Sequence, residues 1–247
     1  MKNIFKIHPL FYLTSIICIF TGLFKDLLII TIIILVHELG HIIGAIHYKW
    51  KIDRVILLPF GGITIFDEKI NRPIKEEFII LILGPFFQII FFYIVNILNL
   101  NISLFNFYHY SLLFFNLLPI IPLDGSKFLG LFLEKNFPFF KSNLYLIFIS
   151  IIISIIFLIY ITLKHEFLLM LIIFYFYFKN LQEINKYKFK CNKFLLERYL
   201  YEFDFKKIKF INGIYFFKMK RDYKHFFKID NNYKTEKEII KKYFDKL

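Results

Sequence analysis

Cysteine is almost missing from this chain. Cys18 and Cys191 are the two present in 247 residues, one inside an apolar run and the other in a basic tail. No disulfide framework follows from such a pair, and it does not form a zinc site. Acidic residues are scarce as well, with 19 Asp and Glu against 32 Lys and Arg, for a net charge of +13. No nucleic-acid recognition motif accompanies this excess, so nucleic acid is not an expected partner. No small-residue cleavage site follows the basic Met1–Lys6 start, which reads as leading into a retained first span rather than a removed signal peptide. Apolar residues, in contrast, are abundant. The chain is 58% hydrophobic and 21% aromatic with mean hydropathy +0.59, well outside the usage of soluble globular proteins.

Apolar runs of near-membrane length, separated by charged or turn residues, predict six transmembrane helices. They cover Leu10–Phe24, Leu27–Tyr48, Phe78–Leu98, Ser103–Leu118, Leu144–Leu163 and Phe167–Phe178. The expected fold is an all-α polytopic membrane protein of six transmembrane helices, with a short membrane-surface β segment and a small α+β cytoplasmic tail. Residues 1–178 form the membrane domain and 179–247 the tail. Lys and Arg collect on one side: Lys2, Lys6, Lys49, Lys51, Arg54, Lys69, Arg72, Lys75, Lys127, Lys135, Lys141 and the tail. The other side receives Lys25 and Lys164, with an uncharged Asn99–Asn101 turn. This asymmetry predicts that both termini are cytoplasmic.

The second span carries His37, Glu38 and His41, and ionisable groups inside a span are expensive and therefore point to function. Their order is HExxH. At i and i+4 the two imidazoles leave one helix face about a turn apart, suited to one tetrahedral metal, and Glu38 beside them can reach a bound water. The orientation puts His41 about 10 Å below the cytoplasmic end of the span. A zinc site needs a third protein ligand. Asp124, in NLLPIIPLDG after the fourth span, falls at the same depth. PLDG alone reads as a turn with a solvated carboxylate; paired with HELGH at matching depth, it reads as the third ligand. Pro119 and Pro122 break the helix there, as irregular backbone at membrane depth requires a buried or wet lining.

Between spans two and three, Trp50–Phe66 is apolar but punctuated by Pro59, Gly61 and Gly62. Its β-branched residues suggest short strands at the membrane surface whose edge could accept an extended peptide. A loop packed on the bundle is the alternative.

HELGH in a span followed by NxxPxxPLDG resembles the site-2 protease family of intramembrane zinc metalloproteases. The resemblance implies Zn2+ held by His37, His41 and Asp124, a water-activating Glu38, and substrate handling near the metal by Asn116 and Pro122. LLPFGG at Leu57–Gly62 and FLLERY at Phe194–Tyr199 look like the sporulation branch of that family. That branch implies a membrane-associated protein substrate, a sigma-factor precursor, with a regulator's transmembrane anchor as the alternative. Membrane-protein regulators that gate cleavage are the other partners it suggests. Two positions depart from the family pattern: Gln88 in GPFFQ where Asn is frequent, and Ser126 after Asp124-Gly125 where a second Gly is frequent. From another functional class, a metal-binding or metal-transport protein could use the same His pair. Its polar path should then cross the whole bilayer, whereas spans five and six are almost wholly apolar.

The tail holds nineteen Lys and Arg against nine Asp and Glu, ten of the thirteen net charges, and should attract anionic lipid. Ile208–Phe217 reads as a hairpin turning at Asn212-Gly213, and Thr235–Glu238 as a capping box opening a short helix. The remaining histidines are assigned unremarkable places: His47 at the interface, His109 as a polar contact within span four, and His8, His165 and His225 as boundary or tail residues.

Overall fold

The computed structural model describes residues 5–98, 103–164, 167–229 and 232–245. The Asn99–Asn101 turn and His165 lie outside these. The chain divides into two compact units. The first comprises Met1–Glu68, Lys75–Leu118 and Leu123–Gly125; the second comprises Lys69–Ile74, Pro119–Pro122 and Ser126–Leu247.

In the first unit a short strand β1 (Phe5–Ile7) leads into α1 (Pro9–Phe20) and α2 (Phe24–His47). His8, read as a boundary residue, caps α1 by accepting from the Leu10 N–H at 3.2 Å, with Pro9 at the first helical position where its missing N–H costs nothing. Strands β2 (Ile52–Leu58) and β3 (Gly61–Phe66) pair antiparallel, as the residues flanking Gly61 and Gly62 suggested. β1 adds a parallel strand on the far side of β2, giving the order β1-β2-β3 and leaving β3 at an edge. Helix α3 (Ile74–Ile97) and α4 (Ser103–Asn116) complete the unit, with a core of Ile33, Ile34, Leu57, Val95, Phe105 and Leu112. α5 (Asp124–Asn136) follows, opening in the first unit and continuing into the second.

The second unit contains α6 (Phe139–Lys164), α7 (Phe167–Leu200), strands β4 (Lys207–Asn212), β5 (Tyr223–Ile229) and β6 (Asn232–Thr235), and α8 (Glu236–Phe244). Ring stacking of Phe139 on Phe194 at 4.2 Å joins a core with Leu195, Ile211, Met219, Phe227, Ile239 and Ile240. The cap expected at Thr235 forms: its hydroxyl accepts from the Glu238 N–H and donates to the Glu238 carboxylate at 2.8 Å.

Three helices among the described residues, α2, α3 and α6, are long and apolar enough to cross a membrane by length and composition. The described residues are mostly helical, and two three-stranded sheets accompany the helices among them.

Several local expectations change. Asn212-Gly213 does not close a hairpin, because β4 pairs with β5 in parallel and a parallel connection must cross over. Gly213 does adopt the positive φ of +78° that its turn signal implies, but the chain then makes a single 3-10 turn at Phe216–Lys218 before entering β5. The antiparallel pair is β5 with β6. Beyond the sixth apolar run the helix goes on: α7 continues from Phe167 to Leu200, carrying Cys191, read as an ordinary tail residue, into a buried position. His225, likewise read as a boundary or tail residue, is fully buried. On β5 it alternates inward with Phe227, and its imidazole is satisfied on both nitrogens. Nδ1–H donates to Glu236 at 2.7 Å and Nε2 accepts the Lys220 N–H at 3.0 Å.

Candidate metal centre

The buried stripe of α2, Ile33, Ile34, His37, Glu38, Gly40, His41, Gly44 and Ala45, follows the helical period, so the HExxH residues lie on the face turned into the protein. His37 is 1% exposed and Glu38 and His41 are each 2% exposed. Asp124 is buried at the opening of α5, where the helix N-terminus favours a carboxylate. Gly125 lets the chain turn back at this point, since a Cβ there would collide with the Leu117 and Leu118 carbonyls beyond α4.

The three side chains converge. Asp124 Oδ2 lies 2.9 Å from His37 Nε2 and 2.9 Å from His41 Nε2, and the two Nε2 atoms are 3.2 Å apart. The far nitrogens of both rings face acceptors. His37 Nδ1 is 2.8 Å from Gln88 Oε1, and His41 Nδ1 is 2.9 Å from the Ile80 carbonyl. A carbonyl has no proton to give, so each Nδ1 carries a hydrogen, and in the neutral ring each Nε2 then presents a lone pair. With neutral rings, two nitrogen lone pairs and a carboxylate oxygen point at one another, a set of donors suited to a shared cation. Ligands about 2.0–2.1 Å from a tetrahedral zinc stand about 3.3 Å apart, close to this triangle. The donor set fits zinc.

Glu38 is held differently. Its Oε2 accepts the Thr64 hydroxyl of β3, and Gly62 of the same strand abuts the carboxylate so closely that a Cβ would overlap it. Its ligand atom also lies within 4.8 Å of those of the two histidines. Of the two carboxylates, Asp124 is the one in contact with both imidazoles, while Glu38 stands beside them, tethered to the sheet.

Helix α3 forms another wall. A Cβ on Gly84 would strike both imidazoles, so the helix backbone itself lies against the rings. Asn116 is buried at the end of α4 with its Oδ1 facing Gly61 at the head of β3. Pro122 follows a cis peptide bond and belongs to the second unit. His109 is no ligand: it is buried in α4 and stacks on Phe92 at 4.4 Å. Sequence reading overlooked Thr64 and treated Gln88 only as a departure from a pattern. The GPFFQ motif was the available signal for the latter, since a Gln amid apolar residues must find partners.

Residues 26–104 match peptidase family M50. The stage IV sporulation protein FB of Bacillus subtilis is 42% identical over 144 residues, which are 56% of this chain and 50% of that protein. A zinc metalloprotease of Methanocaldococcus jannaschii is 33% identical over 139 residues, 51% of this chain and 38% of that one. The chain spans about half the length, or less, of these curated relatives. Among solved structures, the site-2 protease of Methanocaldococcus jannaschii superposes with TM-score 0.60 at 28% identity, covering 72% of this chain and 89% of that one. The resemblance to site-2 proteases read from HELGH and PLDG therefore holds. With its apolar helices, it identifies a multi-pass membrane protein.

Proposed function

We propose that the protein is an intramembrane zinc endopeptidase of the site-2 protease type, cutting a membrane-associated regulatory protein near the cytoplasmic face. The observation that carries this reading is the convergence of three buried lone-pair donors beside a carboxylate anchored to a sheet edge. His37, His41 and Asp124 would hold the metal. Bound there, zinc lowers the pKa of a water towards about 7 and polarises the scissile carbonyl. Glu38 takes the proton of the attacking water and delivers it to the departing amine. Thr64 holds the Glu38 carboxylate in place for both transfers. A helical substrate hides its peptide bonds and must unwind to be cut. The edge of β3 supports a route: a peptide adding as a further strand would run beside Thr64 and Gly62, the two residues touching Glu38.

The proposal extends to topology and substrate. Six spans with cytoplasmic termini, a membrane region over 1–178 and a tail over 179–247 that meets anionic lipid are supported by the charge distribution. A sporulation substrate, a sigma-factor precursor, is supported by the LLPFGG and FLLERY segments and by the name of the Bacillus subtilis relative.

Asp124→Ala is expected to remove zinc from the purified protein together with cleavage of a co-expressed substrate, because two imidazoles alone leave the site a ligand short. Metal analysis showing full zinc occupancy in this variant would reject Asp124 as a ligand. For the strand-addition route, a photo-crosslinking residue at the partly exposed Ile65 of β3 should capture substrate, whereas the same probe at the exposed Phe20 of α1 should not. Equal capture at both positions would reject the route.

A further inference from the structure

We infer that Gln88 is a positioning residue that fixes the tautomer and ring orientation of His37 and thereby sets the affinity of the metal centre; the inference rests on the metalloprotease reading. Ile80, Gly84 and Gln88 occur at i, i+4 and i+8 of α3, so they share one stripe of that helix, and all three meet the imidazoles. The Ile80 carbonyl takes the Nδ1 proton of His41, Gly84 admits both rings, and the Gln88 carbonyl takes the Nδ1 proton of His37.

The Gln88 amide has no freedom to do otherwise. It is fully buried, where an unsatisfied amide is costly. Its Nε2 donates to the His109 carbonyl of α4 at 3.0 Å, which leaves Oε1 as the atom presented to His37. One side chain thus spans from α4 to a metal ligand on α2. Asn, shorter by one methylene, cannot reach both partners. The two histidines are therefore oriented by different means: backbone for His41, which no substitution removes, and side chain for His37, which one substitution can.

The test is zinc affinity of the full-length protein in detergent, by competition with a chelator, with cobalt(II) absorption as a second readout of ligand geometry. Gln88→Leu is expected to weaken zinc binding about 10–100-fold, the usual cost of removing the hydrogen-bond partner of a metal-bound imidazole. Gln88→Glu keeps an acceptor at the same reach toward His37 and gives up only the donation to the His109 carbonyl. It is expected to hold zinc within about threefold of wild type while shifting the cobalt bands, since a carboxylate makes the imidazole a stronger donor. Should the Leu variant fail to fold, the Glu variant decides alone: an unchanged cobalt spectrum overturns the proposal. Wild-type affinity in Gln88→Leu overturns it equally. A wild-type protein that takes up no zinc would instead overturn the metalloprotease reading itself.

Discussion

Glu38→Gln is expected to abolish substrate cleavage while leaving zinc in place. Glutamine has nearly the same shape, and its amide oxygen can still accept the Thr64 hydroxyl, so the tether to β3 survives. What disappears is the ability to take a proton from water and to return it to the leaving amine. General base and general acid assistance contribute about 10²–10⁴-fold each, and the proposed mechanism draws both from this one carboxylate. The rate should therefore drop by at least about 10³-fold with little change in substrate affinity, because Glu38 is engaged in the transition state more than in binding. The metal should stay, since His37, His41 and Asp124 touch one another without it. The measurement is a time course of cleavage in reconstituted membranes beside metal analysis of the same preparation. Residual cleavage within tenfold of wild type would sink the assignment of Glu38 as the base; zinc loss would show instead that Glu38 is a ligand.

The largest stability effect is expected far along the chain, at Arg198. Its side chain is fully buried, and the guanidinium meets Glu236 at 2.9 Å, the Asn71 side chain at 2.7 Å, and the Tyr223 and Lys220 carbonyls at 2.6 and 2.9 Å. The rings of Phe194 and Phe205 lie about it, 4.8 and 4.6 Å from the guanidinium carbon. Breaking one member of such a buried pair strands the other, at about 3–5 kcal/mol. Arg198→Met should therefore unfold most of the β4–β6 layer and expose it to protease, and Arg198→Lys should do nearly as badly because an ammonium cannot fork to four partners. The check is limited proteolysis of the full-length protein; equal resistance in wild type and variants would contradict this.

The same cluster fixes the response to acid. Burial lowers the pKa of His225 below the ordinary 6.5, more than its hydrogen bond and charge pairing with Glu236 raise it. For Glu236, burial pushes the carboxyl up, but the hydrogen bond from His225 and the Arg198 charge outweigh it and bring it below 4.5. In both cases the unfolded chain binds protons that the folded one refuses, so stability rises with pH. The His225 contribution is complete above about pH 6.5 and fades as pH falls below it, followed by that of Glu236 below about 4.5. Protease resistance of the tail should accordingly decline between pH 7.5 and 5.5, and His225→Phe should flatten that decline.

How much of this could be read beforehand depends on whether the information is local. HELGH encodes its own geometry, because residues four apart on a helix must share a face. Strands β2 and β3 declared themselves through β-branched residues around Gly61-Gly62, and α8 through Thr235 and Glu238 at its start. PLDG was singled out by its expected depth beside HELGH, and the structure sets Asp124 Oδ2 against both imidazoles. The rest is set by partners the chain meets only on folding. Nothing near Thr64 says that it faces Glu38, and nothing near Ile80 says that its carbonyl orients His41. Asn212-Gly213 carried the right turn chemistry, but pairing with β5 decided what the turn connected. His225 looked like an ordinary tail residue and Arg198 stood out only as part of FLLERY, since a charge run does not reveal which of its members turn inward.

α7 has a mechanical consequence. It runs unbroken for 34 residues, about 50 Å, from an apolar first half to a C-terminal turn that holds Phe194 and Arg198 inside the tail's core. No proline, glycine or loop interrupts it, so there is no joint at which torque could be absorbed. The folded tail and the last apolar stretch are two ends of one lever. Whatever grips and turns the tail also turns the helix at the other end.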